Sequence, residues 1–172
     1  MKIEASDRIN SIGSYAFADV DNEVAKLTKL GITPIDFGVG DPKDPTPGLV
    51  RNYCKRAIDK RMSSGYPSYI GEPDYRETIS KWSKSRFNVD LDPSTEITST
   101  VGAKEGVLNV HEGFINPGDV VIGPNPGYPA YERGALFSEG KPYFYPLLKE
   151  NEFLPDLDKI PNDVRKKAKL MW

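Results

Sequence analysis

The spacing of apolar residues changes character along the chain. In the first half it is helical. Val20, Val24, Leu27 and Leu30 recur at helical intervals, and Gly31 stands where a C-terminal cap would end the helix. Residues 34–37 read as a short strand, followed by a turn-rich loop over 38–47. Thr46 as an N-cap hydroxyl and Pro47 at the first helical position predict another helix start. Leu49, Val50, Tyr53, Ala57 and Ile58 give that helix an apolar face. A second loop spans 63–72, and Pro73 opens a helix with Tyr75, Ile79 and Trp82 on one side.

From residue 96 the pattern alternates. Residues 96–100 are β-rich, 102–115 are helical, and 119–123 form an apolar run of strand length. Residues 131–137 read as a helix, 142–147 as a strand and 161–168 as a helix. Residues 170–172 begin another strand. Strands alternating with helices predict an α/β fold, a mostly parallel sheet covered by helices on both faces.

Composition narrows the possible functions. The 172 residues are enough for an ordinary domain with its own core. With 23 Lys+Arg against 25 Asp+Glu, the formal net charge of -2 gives no reason to expect a nucleic-acid or membrane-surface partner. No run approaches the roughly 18 apolar residues of a membrane helix. The amino end lacks the charged-then-apolar architecture of a signal peptide, so an intracellular, mature start is expected. Cys54 and His111 are each the sole residue of their type, which excludes an internal disulfide and leaves a metal site or a Ser-His-Asp triad almost nothing to work with. The last residues, 168–172, resemble the opening of a buried strand, so further chain is expected beyond them.

In open α/β sheets ligands gather beyond the carboxyl ends of strands, which directs attention to the loops. Residues 98–104 (T-S-T-V-G-A-K) run from a predicted strand into a helix. Gly102 permits close backbone approach, the following amides lie at a helix N-terminus, and Lys104 adds a positive charge, a combination suited to phosphate. A plain glycine turn with a solvated lysine has the same sequence. Residues 123–131 (G-P-N-P-G-Y-P-A-Y) hold Tyr128 on a stiff loop, either to stack on a flat ligand or to pack over the sheet edge. Residues 65–73 (G-Y-P-S-Y-I-G-E-P) carry Tyr66, whose phenol can donate to a phosphate or reach a neighbouring subunit; a surface turn is the alternative. Residues 38–42 (G-V-G-D-P) offer the Gly40 amide to a carboxylate, or simply make an Asp-Pro turn.

Taken together and in this order, the four loops resemble the N-terminal half of the class I/II aminotransferases, the fold-type-I pyridoxal-phosphate enzymes. The resemblance runs from about Ser6 to the last residue. It is strongest to the subgroup acting on LL-diaminopimelate, whose N-terminal arm the stretch D-R-I-N-S-I-G-S-Y-A-F-A-D-V-D resembles; related aspartate and aromatic aminotransferases share most of these features. The resemblance implies an incomplete fold-type-I large domain with an N-terminal arm. Residues 1–45 would form the arm and substrate loop of the small-domain side, and 46–172 a truncated cofactor-binding domain. The implied cofactor is pyridoxal 5'-phosphate. Tyr66, Gly102, Ala103, Lys104 and Tyr128 would bind it, with Tyr66 crossing a homodimer interface and Tyr128 lying flat on the pyridine ring. Tyr15, Gly40, Lys104 and Tyr128 would contact substrate.

The implied reaction moves an amino group between an amino acid and a 2-oxo acid such as 2-oxoglutarate, in lysine biosynthesis in the cytoplasm. No metal, membrane or nucleic acid takes part. The lysine that binds the cofactor covalently and the acidic residue that holds the pyridine nitrogen protonated lie, in the family, beyond the segment matched. No catalytic residue is therefore assigned in this chain, and the 172 residues alone are expected to be inactive. Two other readings of the same residues are a carbon–sulfur lyase of the same fold and a non-catalytic remnant or interaction module.

Overall fold

The computed structural model describes residues 3–12, 16–35, 37, 38, 40 and 42–172. The chain divides into two compact units, one formed by residues 14–98 and the other by 1–13 together with 99–172.

The first of these is helical. Helix α2, Ala16–Lys29, ends as its sequence predicts. Gly31 adopts φ 77°, and its amide donates to Thr28 O at 3.0 Å while that of Ile32 donates to Leu27 O at 3.1 Å. This pair of bonds closes the helix with a left-handed residue, a conformation that glycine adopts without Cβ strain. Helix α3, Gly48–Lys60, begins one residue later than predicted. Pro47 is the N-cap, no side chain caps the turn, and Thr46 stands outside it. Helix α4, Pro73–Phe87, has Pro73 in its first turn, as expected.

The packing of α4 reverses the expectation from its apolar positions. Tyr75 and Trp82 are exposed, whereas Arg76 and Ser83 are buried. Arg76 Nε donates to Gly71 O at 3.1 Å, its Nη1 donates to Pro93 O, and Ser80 Oγ donates to Leu91 O at 2.6 Å. The polar side of the helix thus supplies hydrogen-bond partners to backbone carbonyls of the adjoining loops. Asp92 organises the loop after α4 by accepting from Ser94 and Thr95, which hold its carboxyl below the ordinary aspartate value of 3.8.

The second unit contains the sheet. Helix α1, Asp7–Ser11, is short and was not anticipated. Then come α5, Ala103–Phe114; β1, Val120–Asn125; α6, Pro129–Phe137; β2, Lys141–Pro146; α7, Asn162–Lys167; and β3, Ala168–Met171. Short 3-10 turns at Lys149–Asn151 and Leu157–Lys159 join β2 to α7. All three strands are parallel, in the order β2-β1-β3. The fold is therefore the α/β class that the alternating pattern predicts. Two predicted strands are absent. Residues 34, 35 and 37, and residues 96–100, carry no strand. A strand exists by pairing, and these segments have no strand partner among the described residues.

Strand β1 is central and divides its side chains between two faces, as a period of two requires. Val120 and Ile122 point to a cluster with Tyr145 and Ile160, against which Val164 of α7 packs. Val121, only 2% exposed, points to the opposite face with Ile115 and Ala135, beneath α5 and α6. Gly140 fits this second face because a Cβ there would lie 2.8 Å from Ile115 Cγ2. Asp119, just before β1, accepts from the Asn116 amide at 2.8 Å and pairs with Lys169 of β3 at 2.9 Å. No helix among the described residues is long and apolar enough to cross a membrane.

Candidate functional site

The order β2-β1-β3 means that the chain adds one neighbour to each side of β1, so its winding reverses there. The carboxyl end of such a strand is where open parallel sheets place their ligands. Strand β1 ends at Asn125, a cis peptide joins Asn125 to Pro126, and the chain then reaches Gly127 and Tyr128. Gly127 is demanded by close approach, since a Cβ there would sit 2.3 Å from Pro124 O. Tyr128 is the N-cap of α6, and the following Pro129 fixes the start of that helix. The ring of Tyr128 borders an open hollow of about 310 Å³ shared with Asn125, Tyr131, Glu132 and Phe144.

Helix α5 supplies the second part of the site. Gly102 is its N-cap at φ 86°, and no side chain caps the turn. The first helical hydrogen bond runs from Gly106 N–H to Gly102 O at 3.5 Å, so the amides of Ala103, Lys104 and Glu105 have no carbonyl partner within their own helix. Glu105 folds back to accept from the Val101 amide, which places its charge on the loop side of the turn. A Cβ built on Gly102 would meet nothing within 4 Å, although its positive φ disfavours any L side chain. Lys104 Nζ lies 5.8 Å from the centre of the Tyr128 ring, within cation–π range. Among the described residues Lys104 has no carboxylate within ion-pair distance.

Of the residues singled out from sequence, Gly102, Ala103, Lys104 and Tyr128 therefore come together in one unit. Gly40 and Tyr66 belong to the other unit, Gly40 with open space around it and Tyr66 fully exposed. Tyr15 lies outside the described residues.

Behind Tyr128 is an aromatic stack that sequence reasoning missed. Tyr131 meets Tyr128 edge-on, with centroids 5.6 Å apart at 80°. Its other side is stacked on Trp172, at 4.8 Å and 10°. The Trp172 indole Nε1 donates to His111 Nε2 at 3.0 Å, and His111 Nδ1 lies 2.7 Å from Val107 O. Because an indole only donates, Nε2 accepts, and the imidazole hydrogen sits on Nδ1 facing Val107. His111 is fully buried. Tyr145 Oη donates to Trp172 O at 2.7 Å; burial, and then the neighbouring Tyr131, raise the Tyr145 pKa above 10.0. His111 could have been suspected from its position one turn after Val107 and two turns after Lys104 on the same helix, but nothing local in the sequence points to Trp172.

An aromatic ring, an unpaired lysine and free helix N-terminal amides on one rim suit a ligand that is flat at one end and anionic at the other. A phosphorylated aromatic cofactor is one such ligand. The sequence profile of the aminotransferase class I and II family matches residues 32–172. The LL-diaminopimelate aminotransferase of Aquifex aeolicus is 46% identical over 169 residues, covering 98% of this chain and 44% of the relative. Among solved structures, apo-BacF from Bacillus subtilis superposes with a TM-score of 0.89 at 35% identity, covering 99% of this chain and 44% of that one. An aspartate aminotransferase mutant from Thermus thermophilus shares the fold with a TM-score of 0.89 at 23% identity, over 99% of this chain and 44% of its own. The chain belongs to the class I and II aminotransferases and spans about 44% of the length of these relatives. This family depends on pyridoxal 5'-phosphate, and the open N-terminus of α5 and the donor set around Tyr128 fit that cofactor's phosphate and ring.

Proposed function

We propose that this chain is the N-terminal part of a pyridoxal-phosphate-dependent transaminase that exchanges an amino group between LL-2,6-diaminopimelate and a 2-oxo acid such as 2-oxoglutarate. The observation that carries the reading is the approach of Lys104 to Tyr128 at the carboxyl end of the central strand, in a chain 46% identical to an LL-diaminopimelate aminotransferase.

The free amides of Ala103 and Lys104 take the cofactor phosphate, aided by the positive end of α5. Gly102 leaves the space over them open. The Lys104 ammonium balances the phosphate charge and stands close enough to meet a substrate carboxylate. The ring of Tyr128 supports the flat face of the cofactor and restricts water on that side. When bound, the cofactor supplies an electron sink for the substrate's α-carbon. Gly40 offers its amide to the substrate carboxylate, and Tyr15 contacts substrate from the arm. Tyr66 reaches the phosphate held by the other subunit of a homodimer. Residues 1–45 serve as the arm and substrate loop and 46–172 as the cofactor-binding domain. The enzyme works in the cytoplasm, in lysine biosynthesis.

The test is glutamate formation from LL-diaminopimelate and 2-oxoglutarate by the full polypeptide with pyridoxal phosphate, compared with aspartate and tyrosine as donors. Diaminopimelate is expected to be the best donor, and preference for either rival would overturn the substrate assignment. The 172 residues alone are expected to give no glutamate and no borohydride-trapped lysine at a single site. Lys104→Met is expected to weaken cofactor binding about tenfold, the loss of one charge-assisted contact. An unchanged affinity would remove Lys104 from the phosphate site.

A further inference from the structure

Tyr128 sits on a loop, and a loop alone holds a ring loosely. Here the ring belongs to a closed circuit of contacts. Helix α5 touches Tyr128 through Lys104 at its first turn. Tyr128 rests on Tyr131 of α6, Tyr131 lies flat on Trp172, and Trp172 is bonded to His111, which returns to α5 two turns beyond Lys104.

Each link restricts a different motion. The Trp172 backbone is fixed to the sheet, because its amide donates to Ile122 O at 2.9 Å and its carbonyl accepts from Tyr145. That leaves the indole free to turn about its side-chain bonds, and the bond to His111 stops this rotation. His111 is itself held by Val107 O and by the backbone of α6. A Cβ on Gly134 would fall 2.2 Å from Nδ1, so the imidazole fills the space a side chain would take. A ring wedged in this way stays in one rotamer.

We infer that His111 is a positioning residue for the cofactor-stacking ring, acting through Trp172 and Tyr131 to set the plane of Tyr128. The inference rests on the reading of Tyr128 as the residue that stacks on the pyridine ring. It assigns a task to a buried imidazole that touches neither cofactor nor substrate.

The experiment compares His111→Leu with His111→Gln. Leucine fills volume but cannot accept the indole hydrogen, whereas the glutamine carbonyl reaches the place of Nε2. In the full polypeptide the Trp172 indole N–H signal is assigned by its loss in Trp172→Phe. Ring signals of Tyr128 are read by NMR on 13C-tyrosine-labelled protein, and affinity is measured with pyridoxamine 5'-phosphate. His111→Leu is expected to shift both the Trp172 indole N–H signal and the Tyr128 ring signals and to weaken binding about fivefold, while His111→Gln restores all of these. A folded His111→Leu protein whose Tyr128 signals match the parent overturns the inference.

If His111→Leu does not fold, Trp172→Phe takes its place: it keeps the stacked ring, loses the donor, and must move the Tyr128 signals. Unmoved signals again overturn the inference. Tyr128→Leu separates the two readings. If it leaves the affinity unchanged while His111→Leu still moves the Tyr128 ring, the stacking role falls and the mechanical link stands.

Discussion

The two compact units spend their apolar residues differently. In the sheet unit, Val121, Ile122 and Ala135 are buried and the chain wraps around them. In the helical unit, α3 presents Leu49, Tyr53 and Ile58 to the outside and buries none of its residues. What orders the loops on either side of α4 is polar, Arg76 and Ser80 holding their carbonyls. An apolar stripe of correct period therefore states that a helix has a face to cover, and a sheet unit shows what covering it achieves. The stabilisation arises only where a partner removes that surface from water.

The largest expected effect tests that contrast directly. Ile122→Ala removes a core side chain and should cost about 2–5 kcal/mol in urea unfolding. Ile58→Ala, as apolar a change on an exposed helix, should stay within about 0.5 kcal/mol. Equal costs at the two positions would show that Ile58 is covered in solution, and the contrast would break.

A smaller pair sharpens the comparison inside the sheet unit. Gly134→Ala drives a methyl into the His111 ring and should destabilise by about 1–3 kcal/mol. Gly113→Ala, also helical but facing open space, should stabilise by about 0.5–1 kcal/mol. Thermal melts of the two variants should move in opposite directions.

The smallest effect concerns acid. The Asn116 amide, and then Lys169, hold the Asp119 carboxyl below its usual 3.8. A lowered folded-state pKa gives stability that is complete above the unfolded value and is lost as pH falls through the folded one. Stability of the sheet unit should therefore decline below about pH 3.8, and Asp119→Asn should flatten that decline. Asp92 is lowered in the same direction in the helical unit, but mainly by its own turn. Added salt should accordingly weaken the Asp119 contribution through its Lys169 share and leave that of Asp92 nearly intact.

Much of this architecture is legible from the sequence because local rules and packing agree. The Gly31 cap, the start of α4 at Pro73 and the apolar run of β1 each carry their own reason. Residues 34–37 and 96–100 look equally strand-like, but pairing is a property of two segments and only one is visible in a local pattern. The proximity of Lys104 and Tyr128 was foreseeable from two apparent strand-to-helix loops, of which only that of Tyr128 follows a strand in the structure. The His111–Trp172 bond joins residues 61 positions apart. It depends on a missing side chain at residue 134, and no periodicity encodes that.

The contact between residues 111 and 134 also constrains how the sequence can drift. While an imidazole occupies the first position, any side chain at the second strains the pair, so exchange at 134 is tied to the residue at 111. A gain in α6 must be preceded or accompanied by a smaller residue in α5.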